Sequence, residues 1–171
     1  MIDKLIETLR KLGWQVAEKN NSLVLKSLFT DRYSVLPDEF QLYLKSIQSG
    51  TSAENNAWLL CEEEYNGDSN DAFRWNELEL LSLENADNEI DLQENIKSFW
   101  NSHLPFIISV KGEYSCFSIG TGEANYGQIF YGTEPEFEEV TLVAASLSDF
   151  ISKLEKQALL FQKDYPYNLF F

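Results

Sequence analysis

Apolar positions along the chain follow two patterns, helical spacing and short β-prone runs. Ile2, Leu5, Ile6, Leu9 and Leu12 recur every three or four residues, which predicts an amphipathic opening helix closed by Gly13. Trp14-Gln-Val16 and Leu23-Val-Leu25 predict two short strands around the polar turn Lys19-Asn-Asn-Ser22. In Leu36-Pro-Asp-Glu-Phe-Gln-Leu-Tyr-Leu-Lys-Ser-Ile-Gln-Ser-Gly50, the residues Phe40, Tyr43, Leu44 and Ile47 form one helical stripe. Pro37 suits the first helical position, where its missing N–H costs nothing. Asp38 and Glu39 suit the positive end of the helix dipole. Gly50 predicts a left-handed stop.

Trp58-Leu-Leu-Cys61 predicts a buried strand, followed by a polar acidic loop over 62–71. For 75–81, periodicity does not decide between helix and strand. Leu92, Ile96, Phe99 and Trp100 predict another helix. Pro105 marks the entry to a strand over 106–110, and Lys111-Gly-Glu113 a tight turn into a strand over 114–119. Further strands are predicted at 128–131 and 140–144. Their short connections favour antiparallel hairpins. Ser146, with Asp149 three residues on, predicts a capped last helix whose inner face is Leu147, Phe150, Ile151, Leu154 and Ala158. The aromatic tail Tyr165-Pro-Tyr-Asn-Leu-Phe-Phe171 is expected to pack back on the domain, with a partner-binding tail as the alternative.

With 171 residues, 44% of them hydrophobic and 14% aromatic, the expectation is a single packed domain spanning 1–171. No apolar run approaches the roughly 20 residues of a transmembrane helix. The N-terminus carries acids and lacks the basic start and cleavage site of a signal peptide. Cys61 and Cys116 lie far apart in apolar runs, which predicts buried free thiols in a reducing cytoplasm; a single disulfide stays open.

Charge sharpens this picture. The formal net charge is −15, which excludes nucleic acid and anionic membrane surfaces as natural partners. Residues 1–53 carry six acids and seven bases. Residues 54–94 carry thirteen acids and one base, Arg74. Residues 95–171 carry nine acids and five bases. Such a concentration either keeps loops solvated or attracts a cationic protein.

Three segments together resemble the SUKH superfamily, named after yeast regulators of cell-wall synthesis and populous among bacterial immunity proteins. The first is the Leu36-Pro37 helix with its closing glycine. The second is the strand entry Leu104-Pro-Phe-Ile-Ile108. The third runs from Glu113-Tyr-Ser-Cys-Phe-Ser-Ile-Gly through Gly127-Gln-Ile-Phe-Tyr131 to Val143-Ala-Ala-Ser-Leu-Ser-Asp-Phe-Ile-Ser-Lys-Leu154. The resemblance spans about residues 34–155. It departs at Ser49-Gly50, where many members have Asn-Gly, and at Ser118, where an acid is common. It implies an α+β domain with a mainly antiparallel sheet and flanking helices, and a binding role without catalysis or cofactor.

Reactive chemistry is hard to assemble from these residues. The one histidine, His103, reads as a boundary residue between a helix and Leu104-Pro105. One His and two distant Cys make no zinc constellation, and no nucleophile-elbow sequence supports a serine triad. Asp68, Asn70 and Glu79 fall at calcium-loop positions, but Ala72 and Phe73 stand where an oxygen ligand and a glycine are needed. Gly120, Gly122 and Gly127 lack dinucleotide-motif spacing and read as left-handed hairpin glycines. Trp58, Trp75 and Trp100 read as core, unless one lies exposed beside the acidic loop and anchors an interface.

Resemblance and charge together predict a cytoplasmic, non-enzymatic immunity protein that neutralises a cationic, nuclease-type toxin. The alternative is an intracellular scaffold or regulatory adaptor of the cell-wall-regulator type. The expected partner-binding acids are Glu62, Glu63, Glu64, Asp68 and Asp71, with Glu134, Glu136, Glu138 and Glu139 as a second set. As exposed loop charges they are expected to contribute little to folding.

Overall fold

The two middle strands are buried along almost their whole length, and the layering follows from that. The computed structural model describes residues 1–19, 22–68 and 73–171. Its strands are β1 (Gln15–Glu18), β2 (Ile47–Thr51), β3 (Ala57–Leu59), β4 (His103–Ser109), β5 (Ser115–Gly120), β6 (Ile129–Thr133) and β7 (Thr141–Ala144). They form one sheet in chain order, each antiparallel to the next. The helices are α1 (Ile2–Lys11), α2 (Ser27–Thr30), α3 (Asp38–Ser46), α4 (Glu62–Tyr65), α5 (Glu77–Asn85), α6 (Ile90–Trp100) and α7 (Leu147–Gln157). The α+β class with an antiparallel sheet and flanking helices is therefore shown.

Strand alternation sorts the side chains into two layers. Leu59, Ile107, Phe117 and Tyr131 stand opposite one another on one face. Trp58, Ile108, Cys116 and Gly132 share the other. The first face is covered by α1, α3 and α7, which also pack on one another. Phe150 of α7 meets the rings of Phe106 at 5.7 Å and Phe117 at 5.0 Å. The aromatic tail completes this layer: Phe170 lies 4.3 Å from Phe117, and the Ser109 hydroxyl donates to the Leu169 carbonyl at 2.5 Å. Tyr167 and Phe170 are buried, so the tail packs back on the domain through these two rings, while Tyr165 stays exposed. On the second face, Phe73 meets Trp58, and the end of α6 arrives through Phe99, stacked on His103, which meets Phe130. Cover on both sides explains why 106–108 reads as a continuous apolar run instead of an alternating one.

Several predicted elements are placed differently. Residues 22–26 form no strand; the Asn66 side chain brackets them, accepting from Lys26 N at 2.8 Å and donating to Val24 O at 2.8 Å. The partner of β1 is instead β2, about thirty residues later. Gly50 is no helix stop. The chain passes from α3 directly into β2 at Ile47, and Gly50 sits mid-strand because a Cβ there would lie 2.5 Å from Leu59 Cδ1. Pro105 lies inside β4 at an irregularity in register, not before it. The ambiguous 75–81 run resolves as part of α5. Of the three hairpin glycines only Gly127 is left-handed, with φ 78; Gly120 is needed because a Cβ would strike Asn125 O. Ser146 caps α7 by accepting from Asp149 N, while Asp149 accepts from Ala145 N and not from the cap residue itself.

Both sheet edges carry a cation on an outward carbonyl. Arg10 Nη2 donates to Val16 O at 3.0 Å beside β1, and Lys153 Nζ donates to Val143 O at 2.8 Å beside β7. Edge carbonyls held this way are poor templates for an added strand.

The aromatic layer carries a stability prediction. Phe150 is fully buried between two sheet aromatics, so Phe150→Ala should cost about 3–5 kcal/mol in a urea unfolding experiment. A loss below about 1 kcal/mol would show that the ring does not hold α7 to the sheet.

Candidate functional site

Three buried tyrosines tie the helices to the chain around them. Tyr33 donates to Trp100 O at 2.7 Å, Tyr43 to Leu60 O at 2.9 Å and Tyr65 to Pro105 O at 2.7 Å. Burial raises the pKa of all three hydroxyls, so they remain neutral donors.

Against this frame the acids divide into two kinds. Glu79 is the deepest. Arg32 grips it with both terminal nitrogens, at 2.7 and 2.8 Å, while Arg32 Nε donates to Asn101 Oδ1 at 2.9 Å. The guanidinium also lies over the rings of Tyr33 and Trp75. Burial, the largest single influence, opposes its charge, but the hydrogen bonds to Glu79 together with the electrostatic effect of Tyr33 and Glu79 hold the Arg32 pKa above its ordinary value. A fork-to-fork pair of this kind fixes orientation as well as distance.

Of the first predicted acidic set, Glu62, Glu63 and Glu64 lie on a short helix, α4, and not on a loop. Glu62 pairs with the nearly buried ammonium of Lys19. Glu64 accepts from Cys61 N at 2.7 Å and so caps the helix that contains it. Glu63 is exposed. Asp68 is exposed and pairs with Lys26 at 2.5 Å. Asp71 lies outside the described residues, as do Asn70 and Ala72. In the second set, Glu134 accepts from Tyr114 N at 3.0 Å and Glu138 accepts from Trp100 Nε1 at 2.6 Å. Glu136 and Glu139 are exposed. Four of the predicted binding acids thus also hold the fold together. The two sets have different anchors: Glu62 and Glu64 of α4 rest on Lys19 and Cys61, the 134–139 loop on Tyr114 and Trp100.

Five further acids were not singled out from sequence. Glu84, Asp87, Glu89, Asp91 and Glu94 project from the α5–α6 hairpin, all exposed, and none pairs with a base among the described residues. The signal was present in the charge count for 54–94. What was missing was the knowledge that α5 and α6 pair and turn these positions outward.

Trp75 is half-buried and lines a cleft with Leu28, Arg32, Glu64 and Arg74, next to α4. Its setting mixes both charges. His103 is held at both nitrogens. Nδ1 lies 3.0 Å from the Phe99 carbonyl, which can only accept, so Nδ1 carries the proton and Nε2 accepts from Asn125 Nδ2 at 3.0 Å. Burial lowers its pKa, which favours this neutral form. Burial likewise raises both thiols, Cys116 to about 12, and the two cysteines are free. Among the described residues no three His, Cys, Asp or Glu side chains converge as a metal site, and no helix is long and apolar enough to cross a membrane.

One family model, that of the SMI1 / KNR4 family (SUKH-1), matches residues 30–153. The chain belongs to the SMI1 / KNR4 family. No curated protein and no solved structure matches it. The family match starts in α2 and ends in α7, so it contains the Arg32–Glu79 pair, all of the predicted binding acids and the acidic hairpin. It leaves out α1, β1 and the tail, although all three pack against the sheet or its helices.

The division of acids can be measured. Glu62→Gln leaves a nearly buried ammonium without its partner and should cost about 1–3 kcal/mol in urea unfolding. Glu63→Gln should stay within about 0.5 kcal/mol of wild type. Equal effects at the two positions would contradict the division.

Proposed function

We propose that this SMI1 / KNR4 family chain is a non-enzymatic immunity protein that binds a cationic toxin domain and neutralises it by occlusion. The observation that carries this reading is the surplus of exposed carboxylates that pair with no base among the described residues. Folding engages Glu62, Glu64, Glu79, Glu134 and Glu138. It leaves Glu63, Glu136, Glu139 and the hairpin acids facing solvent. A nuclease-type toxin needs lysines and arginines to hold phosphate, and an acidic surface can occupy the same groups. Charge complementarity speeds encounter and rejects wrong partners, while a few close pairs set the lifetime of the complex. The mechanism asks for no cofactor and no nucleophile. Of the predicted binding acids, Glu63, Asp68, Glu136 and Glu139 keep their place as contact candidates; Asp71 is proposed on sequence alone. A cytoplasmic location follows from the same reading, since the toxin must be met inside the producing cell.

A regulatory adaptor of the Smi/Knr type is the second reading, favoured by the family's own description. Growth separates the two. Where a large open reading frame adjoins this gene, its product should arrest growth when expressed alone, and co-expression of this chain should restore it. A neighbour that is harmless alone, or rescue that survives deletion of this chain, would favour the adaptor.

A further inference from the structure

α5 and α6 form a helical hairpin joined at 86–89, with Asn88 in the left-handed region at φ 66. Its inner side is narrow. Leu78, Glu79 and Ser82 of α5 and Ile96 and Trp100 of α6 are buried. The tip and outer side carry Glu84, Asp87, Glu89, Asp91 and Glu94. Among these acids stand two large apolar side chains, Ile90 at 72% exposure and Leu92 at 43%.

Folding accounts for only part of this arrangement. Glu89 and Asp91 sit at the N-terminus of α6, where the dipole favours them. Glu84 sits in the last turn of α5, at the negative end of that helix, and Asp87 lies just beyond it. No base occupies that last turn. Within α6, Asp91 and Glu94 are three apart, a spacing at which like charges repel. The same tip exposes Ile90 and Leu92, which solubility alone would disfavour. Local rules broken together at one surface mark a place shaped by something other than folding.

We propose that the α5–α6 hairpin is the surface on which the cationic partner docks. Ile90 and Leu92 enter a small apolar recess, and the five surrounding carboxylates meet a rim of lysines and arginines. The identity of the occupant follows from charge: a polyanion or an anionic membrane is repelled, and an uncharged apolar partner would leave the carboxylates unpaired. This inference rests on the charge-steered binding proposed above and assigns it a location.

A lysine-rich peptide with two central leucines, titrated into the isotope-labelled full chain at low salt, tests it. Amide shifts should concentrate over 84–94. Neutralising Glu84, Asp87, Asp91 and Glu94 to their amides should weaken the peptide by roughly tenfold. Replacing the two peptide leucines by serine should weaken it several-fold at a salt concentration that screens charge. The neutralised variant should be at least as heat-stable as wild type, because repulsion has been removed. Shifts centred instead on Glu63 or on 136–139 would overturn the hairpin assignment and leave charge-steered binding standing. No shift anywhere would overturn both. Equal binding of the serine peptide would remove the apolar anchor from the proposal.

Discussion

The pair between Arg32 and Glu79 is the contact on which the placement of the acidic hairpin depends. Arg32 follows α2, Glu79 lies in α5, and Asn101, just past α6, takes the third nitrogen of the same guanidinium. One side chain therefore holds both ends of the acidic hairpin to the body of the protein. Buried ion pairs are weak sources of net stability, because desolvation offsets the attraction. Their value is geometric. Here the geometry turns Glu79 inward and, by the periodicity of α5, Glu84 outward, while Asp87 in the turn and Asp91 and Glu94 on α6 are exposed.

Stability comes from elsewhere. Phe106, Phe117, Phe150 and Phe170 form an aromatic layer that joins β4, β5, α7 and the tail. That layer is distant in role from the charges, so the hairpin can tolerate like-charge repulsion without unfolding the sheet. The covered sheet edges narrow the modes of recognition further. A strand added beside β1 or β7 would have to displace Arg10 or Lys153 from its carbonyl. Recognition through a helical surface requires no such displacement.

Much of the fold was legible in the sequence because its signals are local. α1, α3, α6 and α7 follow from apolar periodicity, and the β4–β7 hairpins from apolar runs broken by turn residues. The misreadings arose where a local signal has a distant cause. Gly50 resembles a helix stop, but its reason is Leu59 across the strand pair. Leu23-Val-Leu25 resembles a strand, but its hydrogen bonds go to the Asn66 side chain. The acidic run was legible as charge and illegible as a site. No spacing rule reveals that Glu62 meets Lys19, that Glu138 meets the Trp100 indole, or that Glu79 alone among its neighbours turns inward to an arginine forty-seven residues away.

The central claim is that the buried Arg32–Glu79 pair fixes how the acidic hairpin sits on the body of the protein. Native-state hydrogen exchange on Glu79→Gln tests it most directly, because exchange resolves local opening from global unfolding. The account predicts that amides of α5 and α6 lose protection while those of β4 and β5 lose far less. Protection that falls equally across hairpin and sheet, or does not fall at all, would contradict it.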